Sequence, residues 1–144
     1  MPPVNILIKP ASSKCNMRCK YCFYYAIASQ RCVADMGVMK DETLRELIRS
    51  GIEYADHVVS FAFQGGEPTL AGLEFFERVI RYQEQYQKES GKKDLHIHNA
   101  IQTNGFLIDE KWAAFFHRHH FLVGLSLDGP ANVHDRNRVD TRGE

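Results

Sequence analysis

Neither charge sign is in excess in this sequence: Lys plus Arg number 18 and Asp plus Glu number 18 in 144 residues. That balance argues against a nucleic-acid binder or a protein drawn to an anionic membrane surface. Nor is there an apolar run approaching the roughly 20 residues that a bilayer-spanning helix needs. The start, Met1-Pro2-Pro3-Val4-Asn5, lacks the basic residues and long apolar stretch of a signal peptide, so the cytoplasm is the expected location. Internal repeats and low-complexity tracts are missing as well. At 44% hydrophobic and 25% charged residues, what remains is one soluble globular domain, long enough to bury a core without disulfide staples. Cysteines are few, four in all, yet three lie within eight residues. Such crowding argues against disulfides and for metal or redox chemistry in a reducing compartment.

What is present is an alternation of strand and helix. Val4 to Lys9 reads as a first strand ended by Pro10, and residues 11–38, which carry the cysteines, show little periodicity. Asp41 to Ala55 reads as an amphipathic helix with Leu44, Leu47, Ile48 and Ile52 on one face, capped by Asp41 or a neighbour. Val58 to Phe63 is a second strand, residues 72–89 a long helix closed by Gly91, and Leu95 to Gln102 a third strand. A helix over Asp109 to His119 follows, then a fourth strand over Phe121 to Leu127, apolar enough to suggest that both its faces are covered. The pattern predicts an α/β fold of parallel βα units. A complete (β/α)8 barrel takes about 250 residues, so the chain reads as part of a larger barrel, with an exposed parallel edge that favours self-association.

In parallel α/β folds ligands bind at the carboxyl ends of the strands. All four strands here run into polar or glycine-rich segments: the cysteine loop, Gln64-Gly65-Gly66-Glu67-Pro68, Gln102-Thr103-Asn104-Gly105, and Ser126-Leu127-Asp128-Gly129-Pro130. Cys15-x3-Cys19-x2-Cys22 puts three thiols on a short loop, and Lys14, Arg18 and Lys20 are expected to favour their thiolate forms. Three thiolates on an iron–sulfur cubane would leave one iron open to a ligand. The spacing also suits a zinc site completed by Cys32 or a histidine, or buried free cysteines along one helix face. Gly65 and Gly66 allow backbone approach to a ligand, beside which Glu67 could counter an ammonium group or sit solvated in a turn. Ser126 and Asp128, two apart, point the same way, either toward a ligand or as a turn cap. Arg138 could pair with a carboxylate or be a solvated surface charge. The pair His96 and His98, and the group His117, His119 and His120, are not read as metal ligands.

Cys15-x3-Cys19-x2-Cys22 with Tyr21, followed by Gly65-Gly66-Glu67-Pro68 after the second strand, resembles the signature of the radical S-adenosylmethionine superfamily. Within it, Cys22-Phe23-Tyr24, Gln64 to Leu70, Gln102 to Gly105, Ser126 to Pro130, and His134-Asp135 with Arg138 are similar to the anaerobic sulfatase-maturating enzymes. The resemblance implies the first half of a partial (β/α)6 TIM-like barrel, truncated, with residues 1–144 as the N-terminal portion of the core and residues 11–38 as the cluster loop. The C-terminal half of the barrel and an auxiliary-cluster domain would be absent, and the proton-accepting catalytic residue would lie beyond residue 144.

The cofactors so implied are a 4Fe–4S cluster on Cys15, Cys19 and Cys22, and S-adenosylmethionine contacted by Tyr21, Gly66, Glu67, Ser126 and Arg138. Tyr24 and Gln64 would face the substrate peptide. The activity implied is cleavage of S-adenosylmethionine to a 5′-deoxyadenosyl radical and oxidation of a Cys or Ser of a sulfatase to formylglycine. The implied partners are a sulfatase polypeptide and a one-electron reductant of the flavodoxin or ferredoxin type. Two alternatives stand beside this reading: a maturase of another peptide or protein, and a non-catalytic zinc- or cluster-binding module.

Overall fold

The computed structural model describes residues 3–143. Met1 and Pro2 of the N-terminal segment read above, and Glu144 of the closing Asp-Thr-Arg-Gly-Glu, lie outside the described residues. Strands β1 (Val4–Ile8), β2 (Val58–Phe63), β3 (His96–Thr103) and β4 (Leu122–Leu125) form one open sheet in the order β1-β2-β3-β4. All three pairings are parallel, with Val4 opposite Val59, Val59 opposite Ile97, and Ile101 opposite Val123. The helices are α1 (Phe23–Ser29), α2 (Asp41–Tyr54), α3 (Leu73–Ser90), α4 (Glu110–Arg118) and α5 (Ala131–Asn137). The parallel α/β expectation is met, and the open sheet agrees with part of a barrel. No helix among the described residues is long and apolar enough to cross a membrane.

Side chains alternate across a strand, so one sheet face carries Ile8, Val59, Phe61, Phe63 and Ile101, all buried. Against it pack Leu44, Ile48 and Ile52 of α2, Phe75, Phe76 and Val79 of α3, and Trp112, Phe115 and Phe116 of α4. Gly51 lets α2 approach the sheet, since a Cβ there would stand 2.7 Å from Ile6 Cδ1. Phe76 meets Phe63, Phe75 and Trp112 edge to face at ring-centroid distances of 5.1–5.4 Å, the geometry that aromatic quadrupoles favour. Truncating such a ring to alanine costs about 3–5 kcal/mol. Inside this layer Gln83 of α3 and Asn99 of β3 exchange two amide hydrogen bonds of 2.8 and 2.9 Å, so neither buried amide is left wanting.

Several local expectations are corrected. Asp41 does not cap α2. Lys40 takes the N-cap position without a side-chain bond, and the Asp41 carboxylate instead accepts from the Tyr82 hydroxyl at 2.8 Å and from Arg45 at 3.1 Å. At the other end of α2, Lys92 Nζ donates to the carbonyls of Ile52, Glu53 and Ala55. That cation satisfies orphan C=O groups from a distant part of the chain. The cysteine segment contains a helix, α1, and the residues after the fourth strand contain another, α5. β4 is not covered on both faces: it has one strand neighbour, Leu122 is 74% exposed and Leu125 58% exposed. α4 docks on the sheet through Phe121, just before β4, which leaves β4 itself open.

Candidate functional site

At the carboxyl ends of the strands lies a cavity of about 240 Å³. Cys15, Cys19 and Cys22 line it from the loop after β1, Gln64 to Glu67 from the turn after β2, Gln102 to Asn104 from the end of β3, and Ser126 from the turn after β4. Tyr21, Phe23, Tyr24 and Arg138 complete the wall. The ten residues that the resemblance assigns to the cluster, to S-adenosylmethionine and to the substrate peptide all line this one cavity, whereas Asp128 is not part of its wall.

The cysteine loop is held from two sides. Its backbone pairs with the segment after α5: Lys20 N–H donates to Asn137 O at 2.9 Å, Arg18 N–H to Val139 O at 2.8 Å, and Met17 bridges Asp140 antiparallel. From the opposite side Glu67 N–H donates to Lys14 O at 2.8 Å. Gly66 makes that approach possible. Its φ is +56°, and a Cβ there would overlap the Lys14 carbonyl oxygen.

Glu67 is neither solvated nor free to meet an ammonium group. It is 1% exposed, and its Oε1 accepts from Thr69 N–H at 3.1 Å, Thr69 Oγ1 at 2.7 Å and Thr103 Oγ1 at 2.7 Å. Its Oε2 accepts from Asn104 N–H at 2.7 Å. The carboxylate thus ties the turn after β2 to the end of β3. Asn104, a residue the sequence reading did not single out, carries the tie onward: Nδ2 donates to Asn16 Oδ1 at 2.8 Å and reaches Cys15 Sγ at 3.9 Å. Gln102 Nε2 donates to Ser126 Oγ at 2.9 Å, which fixes the hydroxyl at the cavity edge.

On the far side, Asp128 accepts from the Tyr21 hydroxyl at 2.5 Å and from Arg138 Nε at 3.0 Å. The Arg138 guanidinium lies 5.4 Å from the centroid of the Tyr21 ring, with Nη1 3.8 Å from Cys19 Sγ. Arg138 is thereby an ion-paired side chain and not a solvated surface charge. The Tyr21 and Arg138 bonds lower the Asp128 pKa. Burial and the bond to Asp128 push the Tyr21 phenol up to about 12.

The expected help to the thiolates from Lys14, Arg18 and Lys20 is not found. Burial is the main influence on Cys15 and raises its pKa, with Glu67 adding to the rise and the Met17 N–H opposing it. Cys19 is also raised, by burial first, with Arg138 as the opposing charge. Lys14, Arg18 and Lys20 are exposed, where water screens them.

All four cysteines are free thiols, and Cys32 is exposed and lines no part of the cavity. His96, His98, His117, His119 and His120 are likewise absent from its wall. Among the described residues no three Cys, His, Asp or Glu side chains converge on a point where one ion would sit. Three soft sulfur donors beside an open space suit a multinuclear iron–sulfur cluster with one metal vertex left to a ligand. The cavity also offers glycine backbone, the Ser126 hydroxyl and a guanidinium, the groups that bind the polar end of a small ligand.

The Radical SAM superfamily matches over residues 10–144. The chain is 52% identical over 143 residues to the cysteine-type anaerobic sulfatase-maturating enzyme of Clostridium perfringens (strain 13 / Type A), covering 99% of this chain and 38% of that protein. It is 36% identical over 144 residues to the serine-type anaerobic sulfatase-maturating enzyme of Klebsiella aerogenes, covering 98% of this chain and 33% of that protein. The solved structure of native anSMEcpe with bound AdoMet superposes with a TM-score of 0.89 at 50% identity, over 98% of this chain and 37% of that one. The chain spans little more than a third of the length of the relatives it matches.

Proposed function

The chain belongs to the radical SAM superfamily, and on that premise we propose that Cys15, Cys19 and Cys22 hold a 4Fe–4S cluster that serves S-adenosylmethionine cleavage in an anaerobic sulfatase maturase of the cytoplasm. The observation that carries the proposal is the meeting of three unpaired thiols with the Gly65-Gly66 turn in one cavity. When bound, the cluster supplies the electron that cleaves the sulfonium to methionine and a 5′-deoxyadenosyl radical, chemistry that side chains alone do not perform.

The chain's own residues bind, orient and enclose. Gly66 leaves backbone bare beside the cysteine loop, so main-chain groups can meet the methionine end of the ligand. Glu67 acts through its position, because all its bonds are internal: it holds the turn to β3 and leaves that backbone as the ligand contact. Ser126, fixed by Gln102, receives the ribose. The Nη groups of Arg138 are presented to the carboxylate while Nε remains on Asp128. Tyr21 stacks on Arg138 and closes the edge of the site. Tyr24 and Gln64, both on the cavity wall, face the substrate peptide.

The finer reading is oxidation of a sulfatase side chain to formylglycine. Support comes from the sulfatase-maturating relatives, and their higher identity on the cysteine-type side favours cysteine as the residue oxidised. Residues 1–144 are then the N-terminal portion of the core, with the group that takes the substrate's proton outside them. The test is electron paramagnetic resonance on anaerobically reconstituted, reduced protein with and without S-adenosylmethionine. A reduced 4Fe–4S signal that shifts on adding the ligand is expected. Stoichiometric zinc with no cluster would sink the proposal.

A further inference from the structure

Asn104 and Asn16 do more than tie the end of β3 to the cysteine loop, because each amide has only one way round. Asn104 Oδ1 accepts from Phe106 N–H at 2.9 Å, a local turn bond that only the amide oxygen can make. Its Nδ2 therefore faces the loop. There it donates to Asn16 Oδ1 at 2.8 Å and stands 3.9 Å from Cys15 Sγ.

The first amide sets the second. With its oxygen committed to Asn104, Asn16 turns its own NH2 the other way, and Nδ2 is buried with no acceptor among the described residues. Reversing the Asn16 amide would set NH2 against NH2. Buried amide donors are nearly always paired, so an unpaired one calls for an acceptor that arrives with a ligand. Asn16 directly follows Cys15. A cluster held there brings sulfurs that accept hydrogen bonds.

The three thiols are not served alike. Cys15 Sγ takes Met17 N–H at 3.4 Å besides the Asn104 amide, and Cys19 Sγ takes Arg138 Nη1 at 3.8 Å. Cys22 Sγ takes no donor among the described residues. The N–H groups thus gather at Cys15. An N–H dipole aimed at a sulfur stabilises negative charge there. Reduction adds one negative charge to a cluster, so each such donor favours the reduced form and raises the reduction potential.

We propose that Asn104 and Asn16 are positioning residues that set the reduction potential of the cluster, Asn104 by donating to Cys15 Sγ and Asn16 by giving its unpaired NH2 to a cluster sulfur. The inference rests on the cluster assignment made above and adds which side chains poise the cluster for its electron. The chain from Phe106 N–H through Asn104 to Asn16 aims these donors. It carries no electron, and no covalent bond in it is made or broken.

The experiment is a redox titration, followed by electron paramagnetic resonance, of the reconstituted full-length protein and of its Asn104→Ala and Asn16→Ala variants. The signal read is the 4Fe–4S signal that S-adenosylmethionine perturbs. A hydrogen bond to a charged group is worth about a factor of ten or more in an equilibrium. The ratio of reduced to oxidised cluster at a fixed potential should fall in both variants, by about tenfold in Asn104→Ala, which for one electron is a midpoint lower by about 59 mV. The direction separates this role from a merely structural one: a loosened loop admits water, whose dipoles also stabilise the reduced cluster and raise the midpoint. Asn16→Ala leaves the Asn104 bonds to Glu67 and Phe106 in place, so it carries the test should Asn104→Ala load no iron. Midpoints unchanged or raised in the loaded variants would overturn the proposal and leave the cluster assignment standing. A wild-type protein that takes up no 4Fe–4S cluster would overturn that assignment, and this inference with it.

Discussion

Replacing Glu67 by glutamine tests the central tie of the site with almost no change in shape. The carboxylate is 1% exposed and receives four hydrogen bonds, three at Oε1 and one at Oε2. In the least costly orientation the Gln oxygen takes the place of Oε1 and keeps the donors from Thr69 and Thr103. Its NH2 then stands at the Oε2 position, 2.7 Å from the Asn104 nitrogen, where a donor faces a donor. One charge-assisted bond is lost, worth about 1.5–3 kcal/mol, and the Asn104 N–H is left unpaired. The opposite orientation sets three donors against the NH2 and costs more. A loss of about 2–3 kcal/mol is therefore expected in urea denaturation of the apoprotein, read as a lower midpoint at unchanged m. At about 3 °C per kcal/mol for a chain of this size, Tm falls by roughly 6–9 °C. Glu67→Gln within about 0.5 kcal/mol of wild type would refute the clasp, because a buried four-bond carboxylate cannot be that dispensable.

Three further outcomes follow from the same geometry. Gly66→Ala puts a Cβ onto the Lys14 carbonyl at φ +56°, so iron bound per chain after reconstitution should fall by more than about half while the far-ultraviolet circular dichroism is retained. The pKa of Asp41 is lowered by its bond from Tyr82 and by Arg45 and Arg78; a depressed carboxylate contributes stability above its unfolded value of about 3.9 and loses it as pH falls through the folded value. The unfolding free energy of wild type should thus drop more steeply than that of Asp41→Asn between pH 5 and 2, by less than about 1 kcal/mol because the carboxylate is partly exposed and screened by water. Finally, one of the six tyrosines should titrate near pH 12, and Asp128→Asn should bring it part of the way back toward 10, since burial remains when the hydrogen-bond acceptor's charge is gone. Ultraviolet titration of phenolate, with Tyr21→Phe to assign the signal, reads this directly.

What could be read in the sequence and what could not divide along a physical line. α2, α3 and α4 announce themselves because each buries a periodic stripe. α1 and α5 do not, because α1 buries a single residue, Ala28, and α5 buries none. The apolar run at Phe121 to Leu127 gives no sign of its exposure, because apolar composition records what a strand can bury and not whether anything covers it. The site motifs are legible as residue types at spacings, thiols at 15, 19 and 22 and glycines at 65 and 66. Their electrostatics are not, since the charges that act on the cysteines, Glu67 and Arg138, arrive from the turn after β2 and the end of α5, while the adjacent Lys14, Arg18 and Lys20 stay in water.

The bonds between motifs are the part no spacing can show, and they turn four strand-end segments into one unit. Glu67 N–H grips the loop at Lys14, and its carboxylate grips Thr103 and Asn104. Asn104 returns to Asn16 and Cys15 in the loop. Gln102 holds Ser126, and two residues further Asp128 takes Tyr21 and Arg138, the latter reaching Cys19. The segment 137–140 then closes the ring on the loop backbone. A ring of this kind ties the positions of the three sulfurs to those of the ligand-facing groups, because no strand end can shift without breaking a bond to its neighbour. Losses at two members of the ring should for that reason be non-additive. A double-mutant cycle on Glu67→Gln and Asn104→Ala that returned strict additivity would mean the segments hold their places independently.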